Sequence, residues 1–175
     1  IGIRTLMNVL GPMTNPAGAK RQVIGVFSRA WQHKMAEVLQ LLGSEHAMVV
    51  HSDGLDEIRL DAPTHVVELK NGAITEYDIS PGDLGLAPRT DADLAGIVAD
   101  SAASSLALVR QSLTDDSSAA ADIVALNAGA AIYVSGVANS LSNGVAMAQD
   151  AISSGQAKER LAELVRITSL MSESS

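Results

Sequence analysis

The chain has 175 residues, a formal net charge of −8 at pH 7 and no cysteine. Hydrophobic residues make up 47% of it and aromatic residues only 2%, which is typical of one compact domain whose helices pack through small aliphatic side chains. The net negative charge disfavours binding to nucleic acid or an anionic membrane, and the lack of cysteine excludes disulfides and thiolate metal sites. No signal-peptide or membrane-spanning run occurs in these residues, so we expect a cytoplasmic protein.

Residues 1–10 have an amphipathic pattern, with apolar side chains at Ile3, Leu6, Met7 and Leu10. This spacing predicts a helix, and no capping residue precedes it. We therefore expect the chain to begin inside a structural element. The prolines and glycines of residues 11–18 then predict a turn that ends this helix.

A strand, a helix and a second strand are predicted next. Arg21–Phe27 and His46–His51 are short, mostly apolar runs typical of strands buried on both faces. Between them, residues 29–42 have helical periodicity, Ser28 is a candidate N-cap, and Gly43 stands where a helix-terminating glycine is expected. This order and spacing predict a right-handed βαβ crossover with two parallel strands.

The second half of the chain is predicted to be a hairpin followed by helices. Residues 64–70 and 73–79 flank Asn71-Gly72, the two-residue signal for a type I′ turn. From about Ala102 onward, the apolar spacing predicts one helix after another. The predicted fold class is therefore α/β, with a mixed, mostly parallel sheet flanked by helices.

The second predicted strand leads into an acidic turn that contains Asp53, Asp56 and Glu57. Open α/β sheets place their ligand sites at the carboxyl ends of parallel strands. Carboxylate oxygens suit Mg²⁺, particularly where the phosphates of a substrate complete its coordination. By spacing alone, however, a solvated acidic turn is the commoner explanation.

Two further features are predicted to be structural. The histidines do not form a metal-ligand pair on one helix face, and His51, beside the acidic turn, is the nearest of them to a candidate site. The alanine-rich helical segment of residues 122–133 is expected to pack closely against the sheet or another helix. We assign it no chemistry.

Four segments resemble those of a known family. Residues 4–18 read R-T-L-M-N-V-L-G-P-M-T-N-P-A-G and resemble the R-T-x-F-N-x-L-G-P-L-x-N-P segment of anthranilate phosphoribosyltransferases. Residues 51–57 read H-S-D-G-L-D-E and match the D-G-L-D-E turn of that family. Residues 63–69 and 127–134 are similar to its P-T-x-V-x-E-L and N-A-A-A-x-L-Y-V segments, so the resemblance covers nearly the whole chain.

The resemblance implies transfer of the phosphoribosyl group of phosphoribosyl pyrophosphate to the amine of anthranilate, a step of tryptophan biosynthesis that yields N-(5-phosphoribosyl)anthranilate and pyrophosphate. It also implies Mg²⁺ as cofactor and a homodimer for the full-length protein. Asp56 and Glu57 would bind Mg²⁺, with Asp53 as a supporting carboxylate, and Arg4 would contact anthranilate. A guanidinium suits that role because it can engage a carboxylate and stack on a ring; no catalytic residue is assigned.

The resemblance further implies that the chain is a partial enzyme. Residues 1–12 would be a remnant of a helical domain or an interdomain helix, and residues 13–175 would be a partial α/β phosphoribosyltransferase domain. The family's G-T-G-G-D loop and K-H-G-N-like segment, which contact phosphoribosyl pyrophosphate, would precede Arg4 and do not occur in this sequence. We therefore expect the isolated chain to be inactive.

Two alternative functions remain. A pyrimidine-nucleoside phosphorylase-like enzyme would share the architecture, but is not expected to carry both the arginine motif and the acidic turn. A non-catalytic binding relative would more plausibly show a basic face or lack Asp56 and Glu57.

Overall fold

The computed structural model describes Gly11 and residues 13–87 and 89–173. The strands are β1 (Arg21–Gly25), β2 (His46–His51), β3 (Thr64–Lys70) and β4 (Ala73–Ile79). The α-helices are α1 (Gln32–Leu41), α2 (Asp91–Ala95), α3 (Ala102–Ser112), α4 (Ala119–Ser135), α5 (Leu141–Ser153) and α6 (Gln156–Glu173). Across these ranges, no helix has the length and apolarity needed to cross a bilayer.

The four strands form one sheet in the order β1-β2-β3-β4. β1 and β2 are parallel, with Arg21 opposite His46, whereas β2 and β3 are antiparallel, with His51 opposite His65. The predicted α/β fold with a mixed sheet is confirmed. The expectation of a mostly parallel sheet is wrong for the described strands, because the hairpin returns β3 and β4 antiparallel to their neighbours.

The predicted crossover between β1 and β2 is confirmed, with shifted boundaries. β1 ends at Gly25 rather than Phe27, and a 3₁₀ turn at Arg29–Trp31 precedes α1. Ser28 is extended at the start of that turn, but its side chain makes no capping hydrogen bond. At the other end of α1, Gly43 has a φ of +77° and terminates the helix as predicted.

The hairpin between β3 and β4 has the predicted boundaries. Its loop residues Asn71 and Gly72 have φ angles of 51° and 77°, as a type I′ turn requires. Glycine has no steric penalty there, and asparagine tolerates the left-handed region better than most residues.

Helices cover both faces of the sheet. On one face α1 packs over an apolar cluster that includes Ile24, Met35, Leu39, Val49 and Val67. On the other face α4 contributes to a cluster that includes Met48, Val50, Val66, Leu126 and Val134. The central strands β2 and β3 are therefore buried on both faces, as the apolar run of β2 predicts. The edge strands β1 and β4 are partly exposed, so the expectation of burial on both faces is wrong for β1.

The alanine-rich helix α4 packs closely against both the sheet and α5, which confirms the expectation from its composition. A Cβ placed on Gly144 of α5 would lie 2.2 Å from the carbonyl oxygen of Gly129 in α4. The two helices thus meet backbone to backbone, and small residues are needed at the crossing.

A buried hydrogen-bond network lies toward the amino end of β2, away from the acidic turn. The Glu68 carboxylate accepts hydrogen bonds from Tyr77 (2.7 Å) and Tyr133 (2.8 Å), and its Oε1 lies 2.7 Å from Nε2 of His46. Lys70 donates in turn to the Tyr133 hydroxyl at 2.9 Å. Burial opposes ionisation of Glu68, but the hydrogen bonds from Tyr77, His46 and Tyr133 outweigh it and hold its pKa below the ordinary value.

Candidate functional site

The acidic turn lies at the edge of the sheet where the two parallel strands end. It follows β2 directly, and a pair of backbone hydrogen bonds closes it: the Ser52 N–H donates to the Leu55 carbonyl at 2.9 Å, and the Leu55 N–H donates to the Ser52 carbonyl. Gly54, at the tip, has a φ of +92°, which glycine adopts without strain. The backbone therefore folds into a tight loop rather than an extended connection.

The far side of the turn rests on the last residue of β1. An ideal Cβ at Gly25 would lie 1.5 Å from the carbonyl oxygen of Asp56. Only a residue without a side chain allows this approach, so Gly25 sets how closely the acidic turn packs on the sheet edge.

Replacing Gly25 with alanine is expected to displace the turn and to lower the free energy of unfolding by about 1–3 kcal/mol, the usual cost of inserting a carbon into a packed site. Urea unfolding of the isolated chain measures the change in the free energy of unfolding. Gly82→Ala is the matched control, because a Cβ at Gly82 meets nothing within 4 Å. Equal stability of the two variants would show that the turn does not depend on this contact.

α4 holds the end of the turn through the side chain of Asn127. Its Oδ1 accepts the N–H of Ile58 at 3.0 Å, and its Nδ2 donates to the carbonyl of Ile58 at 2.9 Å. Nδ2 also donates to the carbonyl of Ile123, one helical turn earlier in α4, at 3.0 Å. Both backbone polar groups of the residue after Glu57 are thus paired by one amide.

A further set of contacts fixes the chain beyond the turn. The Arg59 guanidinium pairs with the Asp61 carboxylate and donates to the Asp53 carbonyl at 3.0 Å. The hydrogen bond from Arg59 holds the pKa of Asp61 below its ordinary value, and the same bond raises the pKa of Arg59. Asp61 therefore neutralises the cation beside the turn.

Asp53, Asp56 and Glu57 are all exposed. In residues 13–87 and 89–173, the carboxylates of Asp56 and Glu57 make no hydrogen bond or ion pair. Within those same ranges, no three His, Asp or Glu side chains are grouped so that they could hold a metal ion by themselves. The donor set fits Mg²⁺ in its usual enzymatic form, with one or two carboxylates and the remaining oxygens from substrate phosphates and water.

A cleft of about 450 Å³, here called the turn cleft, lies beside the acidic turn. Asp53, Leu55 and Glu57 line it together with the paired Arg59 and Asp61, whereas Asp56 does not. The lining also includes the apolar residues Leu94, Ile97, Val98 and Ile123. A cation held by carboxylates could therefore lie next to the apolar part of an organic ligand.

The remaining residues considered in the sequence analysis are Arg4 and the two histidines of β2. Arg4 and the helix predicted for residues 1–10 lie outside the described residues. His51 is part-buried and lies with Nδ1 2.7 Å from the carbonyl oxygen of Val26, which ties β2 to the end of β1. His46 belongs to the buried network around Glu68. Both histidines therefore have hydrogen-bonding partners within the fold.

Sequence reasoning missed two residues that shape the site, Gly25 and Asn127. A glycine at the end of a buried strand indicates a close backbone approach, so Gly25 had a recognisable signal. Asn127 is 69 residues from its partner Ile58, and no local pattern links the two.

Comparison with known proteins identifies the family. Residues 1–158 match the model described as the glycosyl transferase family, a/b domain, and the chain belongs to this family. The curated anthranilate phosphoribosyltransferase of Teredinibacter turnerae is 54% identical to the chain, over 97% of the chain and 50% of the relative. The chain therefore spans about half the length of the curated relatives it matches.

Solved structures agree with the family assignment. The crystal structure of anthranilate phosphoribosyltransferase from Thermus thermophilus aligns with a TM-score of 0.81 and 38% identity, over 94% of this chain and 48% of that one. The Saccharomyces cerevisiae enzyme in complex with PRPP and Mg aligns with a TM-score of 0.76 and 24% identity, over 92% and 46% of the two chains. The yeast match shows a shared fold.

Proposed function

We propose that this chain supplies the α/β half of an anthranilate phosphoribosyltransferase. The reaction transfers the phosphoribosyl group of phosphoribosyl pyrophosphate to the amine of anthranilate and releases pyrophosphate. The observation that carries the proposal is the D-G-L-D-E turn, which is fixed at the carboxyl edge of the parallel strands with exposed, unpaired Asp56 and Glu57 carboxylates. The 54% identity to a relative of that name supports it.

Asp56 and Glu57 are proposed to hold Mg²⁺, with Asp53 as a supporting carboxylate. The yeast enzyme of the same fold forms a complex with both PRPP and Mg, which supports a magnesium requirement. When bound, the ion neutralises the negative charge that develops on the departing pyrophosphate. The protein's own contribution is a turn whose backbone is fixed by contacts with Gly25 and Asn127, which places both carboxylates next to each other at the sheet edge.

Residues 13–175 are proposed to form the α/β domain, and residues 1–12 to belong to a helical or interdomain element. Because the curated relatives are about twice as long as this chain, we propose that the other half contributes the remaining contacts to phosphoribosyl pyrophosphate. The isolated chain is then inactive. The complete enzyme is proposed to be a cytoplasmic homodimer that acts on anthranilate.

Arg4 is proposed to contact the carboxylate of anthranilate. Arg4→Lys keeps the positive charge but loses the planar pair of donors, so we expect the KM for anthranilate to rise about tenfold, the equivalent of one charge-assisted hydrogen bond of about 1.5 kcal/mol. Steady-state kinetics of a chimeric protein, in which the first half of the Teredinibacter turnerae relative precedes this chain, measures the change. Arg166→Lys, on the exposed face of α6, is the control; equal KM values for the two variants would remove Arg4 from the site.

The proposed function is tested by complementation. A bacterial strain that lacks its own anthranilate phosphoribosyltransferase receives the chimeric protein, the isolated chain, or the chimera with Asp56→Asn and Glu57→Gln. Growth without tryptophan is expected only with the unmodified chimera. A chimera that is soluble and folded but does not support growth would contradict the proposal, and growth supported by the doubly substituted chimera would remove the metal assignment.

The two alternative functions gain no support from the relatives, since those reported above carry the transferase name. The chain also has Asp56 and Glu57 at the positions of the D-E pair, and a non-catalytic relative would not need these two carboxylates.

A further inference from the structure

The side chain of Asn127 forms the pair of backbone hydrogen bonds at Ile58 that a neighbouring β-strand would otherwise supply. Its amide pairs with both the N–H and the carbonyl of Ile58, and the Ile58 side chain is 1% exposed within the core beneath α4. Each backbone group of a buried residue needs a partner. The Asn127 side chain, which comes from α4, is the partner of both the N–H and the carbonyl of Ile58, the residue that follows Glu57.

The Glu57 carboxylate makes no contact that would orient it within the described residues. Its direction therefore depends on the backbone on either side of it. On one side the Asp56 carbonyl is seated against Gly25, and on the other side Ile58 is held by Asn127. Glu57 is the member of the D-E pair that lines the turn cleft, so the fixed backbone sets the point from which its side chain reaches the space where a ligand fits.

We propose that Asn127 is a positioning residue, which fixes the backbone at Glu57 and Ile58 and so places the Glu57 carboxylate for a divalent cation at the acidic turn. This inference rests on the proposed function, in which Asp56 and Glu57 bind Mg²⁺. Asparagine suits the task because its amide offers an acceptor and two donors at one point. Aspartate retains only the acceptor, and leucine retains neither.

The test uses the chimeric protein, with Mn²⁺ in the presence of pyrophosphate as the probe, because phosphate oxygens are needed to complete the coordination of the cation. Binding is followed by water-proton relaxation. Asn127→Leu is expected to weaken Mn²⁺ binding about tenfold, as is typical when a residue that orients a metal ligand is lost. Hydrogen exchange at the Ile58 amide is expected to accelerate in the same variant, because its acceptor is gone. Asn127→Asp, which still accepts the Ile58 N–H, is expected to restore most of that protection, and it remains informative if the leucine variant does not fold.

Two controls separate the possible outcomes. Glu68→Gln destabilises the chain at the other end of the sheet, so weaker Mn²⁺ binding in this variant would mean that stability alone explains the effect and would overturn the proposal. Asp56→Asn with Glu57→Gln tests the metal site itself. If this double variant binds Mn²⁺ as the parent does, the proposed metal site is wrong; if it loses binding while Asn127→Leu does not, only the role of Asn127 is overturned.

Discussion

Turnover of the chimeric protein is expected to fall about a thousandfold when Asp56 is replaced by asparagine and Glu57 by glutamine. Removal of a preorganised electrostatic contact to developing charge costs about 10²–10³ in kcat, and this change removes both members of the proposed Mg²⁺ pair. Because the two carboxylates are exposed and make no described hydrogen bond or ion pair, the fold is expected to be unchanged. The measurements are kcat at saturating Mg²⁺ and the midpoint of thermal unfolding.

The matched control for this prediction replaces two exposed acids elsewhere, Asp116→Asn with Glu159→Gln. It changes the net charge by the same amount and leaves the acidic turn intact. Equal turnover of the two double variants would contradict the metal assignment, and a lowered midpoint in the first alone would mean that the turn carboxylates have a structural role.

Glu68→Gln is expected to lower the free energy of unfolding at pH 7 by about 2–3 kcal/mol, which corresponds to one hydrogen bond to a buried charged group. Glu68 is 6% exposed. Its two oxygens serve three donors, Tyr77, Tyr133 and His46, whereas a glutamine amide has one oxygen and must point its NH₂ group at one of them. Urea unfolding monitored by circular dichroism measures the loss.

The same residue gives the chain a predictable acid dependence. The pKa of Glu68 is lower in the folded chain than in the unfolded chain, so the ionised carboxylate stabilises the fold above its ordinary pKa of 4.5 and the contribution disappears as the pH falls below that value. Glu68→Gln is therefore expected to flatten this part of the stability profile. Glu159→Gln, at an exposed carboxylate of α6, should leave the slope in place. An unchanged slope in Glu68→Gln would contradict the assignment.

Local patterns predicted those elements whose boundaries are set by local chemistry. The hairpin has the predicted limits because Asn71-Gly72 favours positive φ angles in any context. The start of α1 was predicted less well, since Ser28 makes no capping bond and the helix begins with a 3₁₀ turn. The balance of parallel and antiparallel pairing could not be read from the chain, because it depends on where the hairpin docks.

In the candidate site, too, some features could be predicted from the sequence and others could not. The positions of Asp53, Asp56 and Glu57 after a buried strand were predicted from their place in the chain, and the structure puts them at the sheet edge. The support of the turn was not predicted, because Gly25 and Asn127 act through contacts with residues distant in sequence. Asn127 was assigned no chemistry, since an asparagine in an alanine-rich helix carries no signal of its partner.

The proposed reaction is measured by the initial rate at which anthranilate fluorescence is lost in the presence of phosphoribosyl pyrophosphate and Mg²⁺. The rate is measured for the chimeric protein, for the chimera with excess chelator, and for the isolated chain. Turnover is expected from the chimera without chelator and from neither of the other two samples. No turnover by a folded chimera would contradict the proposed reaction, and turnover by the isolated chain would contradict the proposal that this half of the protein is insufficient for catalysis.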